Sequence, residues 1–413
     1  MYFPSFAQKA FVPKEFMFRQ ANRNPSVRKE SLLRSQSWLR VVTLATLVPL
    51  GLLAGCGQFF PPLGSSGGGG TGTGSGGDYL YVGNLGTNPL SIAGFSLGSS
   101  SLSALSGFPI QVALEPTALA VTPNDAYLYA GSAAGGIYVF TLGSSGSLTL
   151  GNNSGPVATG VEPSVLRVDP TGKYLLGADA FSGVAYVFQI GSGGTLTAVS
   201  SSFITLNAST PATDLEINPA GSLVFVACGT GGIYTLSFNT GSGALAQING
   251  VLNPKQSGDA DYGMAVTPSG KYLLAAETGI SSVRIFTISS SGGLSEVSGS
   301  PYATGTGPYA VLVDSTGSYV YVANRTDGTI SAFLLSGTGA LTTITGSPFS
   351  TGKLPSALVE DKTNAYVAVL NAGGDPDLQI FQFSTATAGA LTSFTTATTG
   401  TDPTNAGSIA ATH

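Results

Sequence analysis

The residues able to do chemistry fall into two sets. Glu115, Glu162, Asp259, Asp261, Tyr262, Tyr309 and Asp402 stand at the opening of short apolar segments. Asn84, Asp179, Glu277, Asn324, Arg325, Asn371 and Asp375 each follow a segment rich in tyrosine, valine and leucine. Carboxylates and amides gathered on one face would suit a sugar, a polyol or a hard cation such as Ca²⁺, which takes oxygen ligands. Acidic loop tips are equally what a soluble protein presents to water. No metal-spaced His or Cys cluster, Gly-x-Ser-x-Gly elbow or phosphate-binding glycine loop accompanies them, so no cofactor is expected.

Two further charges lie inside apolar segments rather than at their ends. Arg167 precedes Pro170 by three residues, and Glu216 precedes Pro219 by three. The equivalent positions elsewhere are Ala120 and Ala265. A buried charge without a partner is very unfavourable, so Arg167 and Glu216 are expected to pair, as a clamp between neighbouring units or as part of a ligand site.

These residues are carried by a repeat. Its leading residue falls at Tyr79, Tyr127, Tyr174, Leu223, Tyr272, Tyr319 and Tyr366, at intervals of 47 to 49 residues. In 317–333, the turn at Gly317 leads into Tyr319, Tyr321 and Ala323 alternating with Val320 and Val322. That is the period of a strand with two distinct faces. Asp327-Gly328 then marks a reversal into a second strand. Each full unit reads as four short antiparallel strands, the description of a β-propeller blade. Seven leading residues predict seven blades.

The first unit has no opening strand, whereas the last is followed by one within 403–412, where Ser408-Ile-Ala-Ala-Thr matches the pattern of Leu119-Ala-Val-Thr. This tail is expected to complete the first blade, closing the ring and covering edges that would otherwise aggregate. The 58 glycines and only 9% charged residues suit turn-punctuated strands and not helices.

Ahead of the repeats, residues 1–40 hold eight Lys and Arg, and residues 41–54 are an uncharged apolar run ending in Leu53-Ala54-Gly55-Cys56. The run is short for a membrane span and right for a signal-peptide core. Its end looks like the lipobox of bacterial lipoproteins. Residues 1–55 therefore read as a lipoprotein-type signal peptide, with Met1 or Met17 as the start, and Cys56 as the lipidated residue. Residues 56–77, rich in Gly and Ser, read as a tether of roughly 25 Å root-mean-square span. Residues 78–413 are the propeller. The expected location is the bacterial envelope, on its periplasmic or outer side, held by lipid. From Cys56 onward the chain has 8 basic and 19 acidic residues, which argues against nucleic acid as a partner. With Cys56 lipidated, Cys228 has no disulfide partner and reads as a buried apolar residue. A monomer is expected.

Val320-Tyr-Val-Ala-Asn324, followed by Asp327-Gly-Thr-Ile-Ser-Ala-Phe333, resembles the repeat of surface-layer and lactonase-type propellers. The phrases Val168-Asp-Pro-Thr-Gly-Lys-Tyr174 and Val266-Thr-Pro-Ser-Gly-Lys-Tyr272 are similar to those of the 6-phosphogluconolactonase-like seven-bladed family. The resemblance implies His and Arg at the openings of certain inner strands, and a Glu after a Tyr strand, to polarise a lactone and activate water. Only Glu277 matches. Where the family writes Pro-His this chain has Pro163-Ser164, and where it writes Pro-Arg-His it has Asp259-Ala-Asp261-Tyr262; the one histidine is His413. The favoured expectation is a binding module for an envelope protein or glycan, using Glu216, Asp179, Asp261, Tyr309, Asn324 and Arg325. The alternative is an exported lactonase acting through Glu277 with Arg167 or Tyr262.

Overall fold

The computed structural model describes residues 77–85, 90–200, 202–206, 210–400 and 406–413. The expected leader, Cys56, most of the tether and Asp402 lie outside these residues. The described chain forms seven antiparallel sheets, each built on four main strands, with a fifth strand of two residues in four of them; in all but the first sheet the four follow one another in sequence. Blades 1 to 7 are built on Tyr79–Asn84, Tyr127–Ser132, Tyr174–Asp179, Leu223–Ala227, Tyr272–Glu277, Tyr319–Asn324 and Tyr366–Asn371. These are the second strands of their sheets. The first strands touch one another in a closed cycle: Pro116–Val121, Pro163–Val168, Asp214–Ile217, Asp261–Val266, Pro308–Val313, Pro355–Glu360 and finally Ala406–Ala411. They line the centre of the ring.

The last of these is the tail. It pairs antiparallel with blade 1, Leu80 opposite Ala411 and Val82 opposite Ile409. Tyr79 N–H donates to Thr412 Oγ1 at 2.9 Å. The expected ring closure is therefore present.

Each second strand is buried on both faces because each face serves a different neighbour. Val320 and Val322 pack with Leu274, Ala276 and Ile285 of blade 5. Tyr321 and Ala323 pack with Leu358, Val367 and Phe381 around blade 7. No blade has a complete core of its own, so the stability of each depends on the next. Inner strands approach closely at Gly263, where a Cβ would lie 2.4 Å from the Tyr309 carbonyl oxygen.

Tyrosine hydroxyls tie blade to blade near the rim. Tyr81 donates to Gly146 O (2.8 Å), Tyr129 to Gly194 O (3.0 Å) and Tyr174 to Gly241 O (3.1 Å). Tyr272 donates to Gly337 O (2.8 Å), Tyr321 to Gly389 O (2.8 Å) and Tyr366 to Ser99 O (3.0 Å), the last joining blade 7 to blade 1. Blade 4 has Leu223 and Phe225 where these tyrosines stand. At the same end of the sheets, Asp169, Asp314 and Asp361 fold the turn between first and second strands: each accepts the N–H of the following tyrosine, at 2.7, 2.6 and 2.6 Å. Short polar side chains favour such turns.

Candidate functional site

The first strand opens with a β-bulge in six blades. Bulges re-aim side chains at rims. Near this point blades 1 to 4 carry a hydroxyl that staples one inner strand to the next. Ser408 reaches Pro116 O at 3.3 Å, Thr117 reaches Pro163 O at 2.6 Å, Ser164 reaches Ala212 O at 2.7 Å and Thr213 reaches Asp261 O at 3.0 Å. Blade 7 keeps a small hydroxyl, Ser356. Blades 5 and 6 break the pattern with Tyr262 and Tyr309. Their rings meet at a centroid distance of 4.9 Å, and the Arg325 guanidinium lies 4.9 Å above the Tyr309 ring. Tyr262 and Arg325 are half-buried and Tyr309 is buried. Arg325 forms no salt bridge with a described residue, and its Nη1 is buried without a hydrogen-bond partner. Burial lowers its pKa, opposed only by the two tyrosines.

Beside this ledge, blade 5 holds an ionic network. Glu277 ends the second strand and is 0% exposed. Its Oε1 accepts Arg284 Nη1 at 3.0 Å and the backbone N–H of Lys255. Arg284 Nη2 lies 3.4 Å from Glu296 Oε2, which Lys255 Nζ also meets at 2.9 Å. Burial pushes the Glu277 carboxyl up, against the Lys255 N–H and Arg284. Asp261 stands opposite Glu277 in the sheet, is also 0% exposed, and neither of its oxygens has a hydrogen-bond partner. Burial first, and the Glu277 charge second, push Asp261 up to about 8. Asp259 Oδ1 is occupied by the N–H groups of Ala260 and Gly279, at 2.8 and 2.5 Å. Among the described residues, no group of three or more His, Cys, Asp or Glu side chains is placed to hold a metal ion.

The Arg167 and Glu216 side chains do meet, Nη2 to Oε1 at 3.0 Å, at the seam of blades 3 and 4. A third member joins them: Asp214 Oδ1, 3.1 Å from the same Nη2. Asp214 also accepts the N–H of Leu215 and of Met264, both at 2.8 Å, the latter on blade 5. Burial pushes both carboxyls up and Arg167 opposes it. Arg167 is thus engaged with Asp214 and Glu216 and not with Glu277, and the buried triad joins three sheets.

The remaining candidates turn inward. Asp179 accepts the N–H groups of Glu162, Phe181 and Ser182 at 2.8 to 3.1 Å, beside a cavity of about 650 Å³ lined also by Gly135 and Thr159. Asn324 donates to Thr329 and Ser331, Asn371 to Pro376 O, and Asn84 to Ser91 and Thr399 O. Glu115 is half-buried, whereas Asp375 is exposed and faces Lys353 at 3.8 Å. Sequence reasoning missed Asp214, Arg284, Lys255 and Glu296. The signal for Arg284 was present: in register it occupies the place of Tyr138, Tyr186 and Tyr234 in other blades.

The sequence model of the family "Lactonase, 7-bladed beta-propeller" matches residues 79–406. No curated protein matches the sequence. Among solved structures, similar folds include two Bacteroides proteins, each described only as a proposed 6-phosphogluconolactonase. The B. uniformis protein is 16% identical, with TM-score 0.67 over 81% of this chain and 99% of that one. The B. fragilis protein is 20% identical, with TM-score 0.65 over 84% and 100%. A periplasmic gluconolactonase of Pseudomonas aeruginosa is 15% identical, with TM-score 0.67 over 82% and 99%. At these identities the likeness shows the fold; the match along the repeats shows the family, and the chain belongs to the seven-bladed lactonase family of β-propellers.

Proposed function

We propose that this protein is a binding member of its family, holding a ligand on the loop face of blades 5 and 6 without opening a lactone ring. The observation that carries this reading is the state of Glu277. A general base must reach the proton it takes, directly at about 3 Å or through one water. Glu277 is the one residue matching the family's catalytic set, and it is 0% exposed, bonded to Arg284 and capped by the Lys255 backbone. Ser164, standing where the family writes His, is used between blades 3 and 4. Arg167 is used in the triad. On blades 5 and 6 the candidates that remain accessible are Tyr262 and Arg325, which offer contact area and positive charge and no nucleophile-activating base.

The test is a panel of aldonolactones assayed by acid release, wild type against Glu277→Gln. The expected result is no turnover above the buffer rate in either. Turnover that Glu277→Gln reduces at least about a hundredfold, in the usual range for losing a general base, would establish the lactonase instead.

The reading includes attachment to the bacterial envelope. Support comes from the lipobox-like Leu53-Ala54-Gly55-Cys56 after an apolar run, and from the similarity to a protein named as periplasmic. Membrane-extracted protein is expected to begin at Cys56 and to carry the mass of acyl chains, and Cys56→Ser to release it from membranes. An intact mass equal to the unprocessed chain would refute the anchor.

A further inference from the structure

We infer that the outer strand of blade 7, Leu391–Ala397, is an interface between two copies of this chain. The copies pair antiparallel through it, so that the sheet of one blade 7 continues into that of the other. The inference goes beyond ligand binding and replaces the monomer expected from the sequence.

Three observations carry it. First, blade 7 alone has an uninterrupted outer edge. In the other six blades the outer strand holds three residues and the chain then leaves the sheet. It returns as a two-residue strand in blades 1, 3, 5 and 6, and as a single bridge in blades 2 and 4. Pro109, Pro301 and Pro348 stand in three of these detours. Short edges and prolines keep a sheet from joining another sheet. Leu391–Ala397 runs for seven residues and pairs six of them with Leu378–Phe383. A bulge at Phe394, whose ring centroid lies 4.8 Å from that of Tyr366, does not end the pairing. Second, the backbone of this edge points outward. The Phe383 N–H turns inward, to Ala365 O at 3.3 Å. By antiparallel alternation its partner Leu391 turns its N–H and C=O outward, as do Ser393 and Thr396 opposite Phe381 and Gln379. No described strand pairs beyond them, and Thr392, Ser393 and Thr396 are exposed. Third, charge selects the occupant. Residues 378–401 contain no charged side chain, and neither do the outer strands of blades 6 and 1, Leu341–Thr343 and Leu102–Ala104. From Cys56 onward acidic residues outnumber basic ones 19 to 8, so two copies repel wherever their carboxylates face each other. On this sector of the rim they meet no like charge. A cationic partner would find no carboxylate on the strand to hold it. Antiparallel pairing of a strand with its own copy is isologous, so one sequence completes both sides.

Light scattering of the purified Cys56→Ser chain tests the inference, with the mass of two chains expected as concentration rises. Ser393→Lys combined with Thr396→Lys sets like charges against each other across the pair and is expected to weaken association at least about tenfold. The thermal transition of the separated rings should stay that of the parent. A cysteine scan supplies a second readout, because the remaining thiol of the Cys56→Ser chain, Cys228, is buried. Under mild oxidation, single cysteines at Thr392, Ser393, Thr396 and Thr398 should give disulfide-linked dimers only where a residue faces its own copy. Thr342→Cys, on the outer strand of blade 6, should give none. Should the lysine variant fail to fold, the scan decides. The mass of one chain up to the solubility limit overturns the inference. So does association that the lysines leave unmoved in a folded variant, or cross-linking that is uniform along the strand or as strong at Thr342.

Discussion

Arg167→Met is expected to destabilise the propeller by about 3–5 kcal/mol, the usual consequence of removing one partner from a buried ion pair. Arg167, Asp214 and Glu216 are 5%, 0% and 2% exposed, so water replaces nothing when the guanidinium goes. Two carboxylates then face each other at the seam of blades 3 and 4, and Asp214 is held there by the N–H groups of Leu215 and Met264. With about 2 cal/mol/K of unfolding entropy per residue, the melting temperature should fall by roughly 5 °C.

The pH dependence separates this cause from lost packing. Both carboxyls are already pushed above their unfolded values of 3.8 and 4.5. A raised carboxyl favours the folded state while protonated, so its contribution is present below about pH 4 and is lost as pH rises through the folded pKa. Removing Arg167 removes the group that opposes this rise. The gap between variant and wild type should therefore widen from pH 5 to pH 8. Adding Glu216→Gln should close much of it. A variant within about 1 kcal/mol of wild type, or a gap independent of pH, would show that the triad does not clamp the seam.

Deleting residues 406–413 is expected to abolish cooperative folding. Blade 1 would keep three strands, and the edge of Tyr79–Asn84 would lose every partner it has in Ala406–Ala411. Ile409, Ala410 and Ala411 are each 0% exposed, and the strand touches the inner strands of both blade 2 and blade 7. Blade 1 would then present an unpaired inner edge, which invites association. The milder Ile409→Ala should leave a folded ring weakened by about 2–5 kcal/mol. A synthetic peptide of 404–413, added in excess, should restore a sharp thermal transition by strand addition. A truncated chain that is monodisperse and melts as wild type would mean that the tail decorates the ring without closing it.

The fold was legible because the repeat wrote it out. Tyr79 to Tyr366 at a near-constant interval gave the blade count, and Ser408-Ile409-Ala410 gave the closure, since an opening-type strand at the wrong end of the chain has one place to go. The Arg167–Glu216 pair was legible for the same reason: charge at positions where other blades carry alanine stands out against a periodic background. Asp214 escaped because it opens its strand, where a carboxylate passes for a loop residue. Most of the supposed rim did not survive as a rim. Asp179, Asn324 and Asn371 sit at strand ends where periodicity alone cannot tell a side chain aimed at solvent from one folded back on the next turn. The staple pattern that exposes Tyr262 and Tyr309 as exceptions requires knowing which bulged residue touches which carbonyl, and that is a property of the closed ring.

The tyrosine hydroxyls that rivet each outer turn to the preceding blade skip one joint. Leu223 and Phe225 of blade 4 carry no hydroxyl, and toward blade 5 an exposed hydrogen bond donated by Asn249 Nδ2 to Ser291 O, 3.2 Å long, stands near that place. The inner strands of that joint are still fastened, by Thr213 to Asp261 O and by Asp214 to the Met264 N–H. Its outer turns, which lack the tyrosine hydroxyl, are expected to open to solvent before those of the other blades while the hub stays shut.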